Sequence, residues 1–67
     1  MMGFGRNISD LMKLKNMSQT ELAKQLGVVQ SAVSLWINEK REPDYKTLFK
    51  LCKILDTTPN EILGWDD

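Results

Sequence analysis

The chain has 67 residues, 42% of them hydrophobic, with 9 Lys+Arg balanced by 9 Asp+Glu and no histidine. One domain spanning 1–67 is all this length supports, near the lower limit for a single apolar core without staples. The lone Cys52 excludes an internal disulfide, and the lack of histidine excludes the usual zinc and haem sites, so neither metal nor cofactor is expected.

Punctuation divides the chain into five short helical segments and leaves no strand pattern. The first runs from about Arg6 to Lys15, with Ile8, Leu11, Met12 and Lys15 at helical spacing and Asn16 as a residue that tolerates a left-handed end. Ser18-Gln19-Thr20-Glu21 reads as a capping box opening the second segment, Gln19 to Leu26, whose stripe is Leu22 and Leu26 with Ala23 beside them; Gly27 stops it. The third, about Gln30 to Asn38, carries Val33, Trp36 and Ile37 on one side and Gln30, Ser31, Ser34 and Leu35 on the other. Pro43-Asp44 breaks the chain and offers Asp44 as the N-cap of the fourth, Tyr45 to Leu55, striped by Leu48, Leu51, Cys52 and Leu55. Thr58-Pro59-Asn60-Glu61 is a second capping box with proline at the first helical position, starting a short fifth helix with Ile62 and Leu63.

Charge is polarised along this order: residues 1–53 hold every basic group and carry +4, and the remainder carries −4. One basic end can dock on phosphates, although a mixed neutral surface produces the same numbers. No apolar run approaches the roughly 18 residues of a membrane helix. The opening Met1-Met2-Gly3-Phe4-Gly5-Arg6 is too short an apolar stretch for a signal peptide. A soluble protein of the reducing cytoplasm is therefore expected, with Cys52 as a small buried apolar residue.

Segments two and three are joined only by Gly27-Val28-Val29, too short a link for a relaxed antiparallel hairpin, so the pair is expected to cross steeply as a helix-turn-helix over 18–38. Ala23 is small where the helices meet, Gly27 turns the chain, Val33 plugs the second helix onto the first, and Leu22, Leu26, Val28 and Trp36 support them.

In these residues the chain resembles the lambda-repressor-like helix-turn-helix family, the Cro/repressor or XRE type. Ser18 through Val28 is similar to the family's first motif helix, and Lys40-Arg41-Glu42-Pro43 to the signature after its recognition helix; the likeness runs from Ile8 to Gly64. The resemblance implies an all-α five-helix bundle and a phage or bacterial regulator, a repressor, that binds a two-fold symmetric operator as a homodimer in the nucleoid. Three positions depart from the pattern. Met12 and Ile37 stand where the family often has an arginine–glutamate pair, and are expected to touch as an apolar replacement. Val29 replaces the usual Ser or Thr cap before the recognition helix, forfeiting about 1 kcal/mol. Asp56 replaces a common helix-ending glycine and carries no functional expectation.

A helix fits the major groove with its first residues aimed at base edges, which makes Gln30, Ser31, Ser34 and Leu35 the expected base contacts. Glutamine can pair bidentately with adenine, serine with several bases, and leucine with a thymine methyl; the competing reading is a solvated polar face. Gln19 at a helix start, then Asn38, Lys40 and Arg41, and more weakly Lys46, Arg6 and Lys13, are expected at phosphates. Ile62, Leu63 and Trp65, within 58–67, are the expected dimer contacts, against the alternative that Trp65 folds over its own core. The rival function is a protein-interaction module, antitoxin-like or anti-repressor-like, using the same fold without base readout. Enzyme chemistry has no support: there is no glycine-rich phosphate loop, and Ser18 and Ser34 lack a base. No membrane and no small-molecule ligand are expected.

Overall fold

Capping chemistry and apolar stripes set the boundaries of five helices. In the computed structural model, which describes residues 3–64, these are α1 (Phe4–Leu14), α2 (Gln19–Leu26), α3 (Gln30–Ile37), α4 (Tyr45–Leu55) and α5 (Pro59–Leu63). The described residues contain no strand, and the all-α five-helix bundle expected from the sequence is the observed fold.

Caps explain most of the starts. Ser18 Oγ accepts the Glu21 amide at 3.1 Å and Asp44 Oδ1 accepts the Thr47 amide at 2.9 Å. At α5 the box is complete, because Thr58 Oγ1 accepts the Glu61 amide while Glu61 Oε1 accepts the Thr58 amide. The box read at Ser18 is only half formed: Glu21 is exposed and makes no bond back to the Ser18 amide. α1 begins two residues earlier than its stripe suggests and has no side-chain cap of its own.

Four helices end alike. At the ends of α1, α2, α3 and α4 a residue in the left-handed region lets two successive amides reach back to the last turn, as in Lys40 N to Leu35 O at 2.8 Å and Glu39 N to Trp36 O at 3.0 Å. Only Gly27, at φ 75, suits that backbone without strain; the equivalents are Asn16 (φ 57), Glu39 (φ 57) and Asp56 (φ 60). Both carboxylates turn to α1. Glu39 Oε2 accepts the Gly5 amide at 3.1 Å, and Asp56 Oδ2 lies 3.2 Å from Lys15 Nζ, so α1 has a carboxylate at its amino end and a lysine at its carboxyl end, as its dipole favours.

The core is one apolar cluster, from Phe4, Ile8 and Met12 of α1 through Leu22, Ala23 and Leu26 of α2, Val33 and Trp36 of α3, Leu48, Leu51, Cys52 and Leu55 of α4, to Ile62 of α5. Among the described residues no polar or charged side chain is buried with them. α3 packs on α1 and α2, α4 on α2 and α5, and α5 on α1. Met12 is buried, and Ile37 lies half-buried against the same cluster. Asn7 donates to the carbonyls of Ile62 at 2.9 Å and Glu61 at 3.3 Å, tying α1 to the end of α5.

The position of α5 corrects one sequence expectation. Ile62, expected at a dimer contact, has 0% exposure and fills the domain's own core, since α5 turns that side toward α1 and α4. Leu63 is half-buried against the cluster, and Trp65 lies outside the described residues.

Candidate nucleic-acid interface

The spacing of α3 divides it cleanly. Val33 and Trp36 face the core, and the opposite arc presents Gln30 and Ser31 exposed, Ser34 half-buried, and Leu35 at 38% exposure. All four sequence-named base contacts therefore share one side of one helix. Its start is bare: Val29, at φ −78 and ψ 152, provides no side-chain bond and is itself 68% exposed. The corner before it is set by Gly27, and α2 packs against α3 across that corner.

The residues expected at phosphates are less uniform. Lys40, Arg41 and Lys46 are exposed, and among the described residues the ion pair formed is Lys15–Asp56, so none of the three is paired. Gln19, at the first position of α2, is half-buried. Asn38 is exposed but turned back along α3, its Nδ2 donating to Ser34 O at 2.9 Å and Ser34 Oγ at 3.4 Å, so it braces α3 as much as it offers a donor outward. Arg6 and Lys13 are exposed on α1.

The loop between α3 and α4 carries both signs of charge, Lys40 and Arg41 against Glu39, Glu42 and Asp44. Of its acids, Glu39 is held by the Gly5 amide and Asp44 by the Thr47 amide, which leaves Glu42 beside Lys40 and Arg41. Hydrogen bonds from Thr47, first its side chain and then its backbone, hold the Asp44 carboxyl below the ordinary aspartate range. Sequence reading missed Glu39, because its partner Gly5 is 34 residues away and only packing brings them together.

Among the described residues no group of His, Cys, Asp or Glu could hold a metal ion, and no helix is long and apolar enough to cross a membrane. Cys52 is buried, and burial, helped by the charge of Glu61, pushes its thiol up and away from thiolate reactivity. α4 presents one further surface: Tyr45 at 82% and Phe49 at 56% exposure lie one turn apart on the same face.

Comparisons with known proteins bear on this arrangement. The helix-turn-helix family profile matches residues 8–62. Over 60 residues the chain is 35% identical to the uncharacterized HTH-type transcriptional regulator YqaE of Bacillus subtilis (strain 168), covering 90% of this chain and 52% of that protein. It is 32% identical over 66 residues to the HTH-type transcriptional activator BcrR of Enterococcus faecalis, covering 98% and 32% respectively. A 34% identical stretch of 58 residues matches the type II methyltransferase M.Sau96I of Staphylococcus aureus, 85% of this chain but only 14% of that enzyme. The crystal structure of the restriction-modification controller protein C.AhdI from Aeromonas hydrophila superposes with a TM-score of 0.80 at 30% identity, over 88% of this chain and 89% of that one. The chain thus spans about half the length, or less, of these curated relatives.

Proposed function

Because the chain belongs to the XRE-type helix-turn-helix family of DNA-binding transcription regulators, we propose that it is a sequence-specific repressor of phage or bacterial type, acting on duplex DNA in the bacterial cytoplasm. In this reading α3 enters the major groove, Gln30 leads base recognition with Ser31, Ser34 and Leu35 behind it, and Lys40, Arg41, Lys46, Asn38 and Gln19 position the domain on phosphates. One observation carries it: the arc of α3 bearing Gln30 and Ser31 is open to solvent and is covered by no described part of the domain. The operator is two-fold symmetric and the protein binds it as a homodimer, with Leu63 and Trp65 as the contacts left once Ile62 is assigned to the core.

Selection of bound sequences from random duplex DNA tests the proposal, repeated with Gln30→Ala. The substitution is expected to cost about 1–3 kcal/mol at one base position, whereas Lys40→Ala weakens all sequences alike and lowers the salt slope by about one unit. A protein that ignores every duplex at low ionic strength would sink the reading. Repression, rather than the activation named for BcrR, is tested by a reporter driven from the selected site.

One observation favours a second reading, a protein-interaction module. Tyr45 and Phe49 form an exposed aromatic pair on α4. That reading expects partner binding without salt-dependent affinity for DNA.

A further inference from the structure

Glu39 occupies a backbone position that suits it poorly. At φ 57 it ends α3 where glycine would be unstrained, and in the chain it lies between Asn38 and the two loop cations, Lys40 and Arg41. Its carboxylate is tied down: Oε2 accepts the Gly5 amide at 3.1 Å, in the first turn of α1, which has neither a side-chain cap nor an acid of its own. Amides of a first turn lack helical partners and sit at the positive end of the helix dipole, so an anion is favoured there.

The backbone around this bond is equally constrained. A Cβ on Gly5 would come 2.2 Å from Ile37 O and 2.7 Å from Trp36 O, so only glycine lets the first turn of α1 lie directly on the carboxyl end of α3. Beyond Glu39 the chain is held by Lys40 N to Leu35 O at 2.8 Å, while Arg41 N reaches the same carbonyl at 3.4 Å. The side-chain anchor and the backbone anchors thus bracket the segment that carries the expected phosphate contacts.

We propose that Glu39 is a positioning residue for DNA contact: seated on the first turn of α1, its carboxylate fixes the course of the Asn38–Arg41 segment, so that Lys40 and Arg41 reach phosphates together. This rests on the reading of α3 as the recognition helix. The carboxylate acts on the segment as an acceptor of fixed reach.

A pair of variants of equal charge separates reach from charge. Glu39→Gln keeps an acceptor at the same distance. Glu39→Asn has the same amide and tolerates left-handed backbone well, but is one methylene too short. Binding of each to a labelled random-sequence duplex is measured across a series of KCl concentrations, beside thermal unfolding. Glu39→Gln is expected to bind at least as tightly as the unsubstituted protein with the same salt slope. Glu39→Asn is expected to bind roughly three- to tenfold more weakly than Glu39→Gln, with a slope shallower by about one unit, as for the loss of a phosphate contact. Glu39→Gly, which relieves the backbone strain, shows the same loss and serves as the folded variant if asparagine lowers the unfolding midpoint. Equal affinities and slopes for the glutamine and the shortened variants would overturn the positioning role and leave DNA binding intact. Absence of duplex binding by the unsubstituted protein would overturn the DNA reading and this inference with it.

Discussion

α5 and α3 begin in opposite ways. The start of α5 is saturated with local bonds: Thr58 Oγ1 accepts the Glu61 amide at 3.2 Å, Glu61 Oε1 accepts the Thr58 amide at 3.3 Å and the Thr57 hydroxyl at 3.0 Å, and Pro59 presets the first helical φ. α3 starts at an exposed valine with no side-chain bond. The difference follows from what holds each helix. Neither helix is long enough to stand by propagation: α5 combines its box with the buried Ile62 and the Asn7 bonds, whereas α3 is held from behind by Val33 and Trp36 with no side-chain cap. The helix proposed to read DNA is therefore anchored by packing on its inner side, and its first turn has no side-chain cap.

The largest effect should come from breaking the anchor. Trp36→Ala is expected to cost about 3–5 kcal/mol, a large part of the stability of so small a domain, as read by urea unfolding; a loss below about 1 kcal/mol would show that packing does not hold α3. The next two substitutions exchange the characters of the helix starts. Thr58→Ala should lose about 1 kcal/mol, and Val29→Ser should gain about as much by giving α3 the cap it lacks. If both lose stability, the bare start of α3 has a structural reason of its own. Should Val29→Ser gain stability and weaken DNA binding, the absence of a cap there belongs to recognition.

The smallest effect concerns the cap of α4. The Asp44 carboxyl is held below its ordinary range by Thr47, so its contribution is complete above the unfolded-state value and is lost as pH falls through the lowered one. Unfolding followed through the acid range should show that component, and Asp44→Asn, which keeps a capping oxygen, should remove it while preserving the helix. An unchanged acid profile in the variant would mean that the Thr47 bonds do not discriminate between protonation states.

Much of the fold was legible because its signals are local. Ser18, Asp44 and Thr58 act on amides three residues ahead, Gly27 turns the chain where it stands, and the outer arc of α3 follows from helical spacing. Ile62 was misjudged because a five-residue helix has too few positions to show which side is inward until α1 and α4 are packed beside it. Asp56 suggested nothing in sequence, and its use appears only with Lys15 of α1 at 3.2 Å.

By itself the sequence determined five helices, their caps, and a polar arc led by Gln30, since each depends on residues within a turn or two of one another. Packing alone decided that α1 would be held at both ends by carboxylates from distant helix ends, that Gly5 would lie on the carbonyls of α3, and that Ile62 would be core. Those outcomes depend on the relative placement of helices, which is set by the joint burial of apolar side chains from all five and by no contiguous stretch of chain.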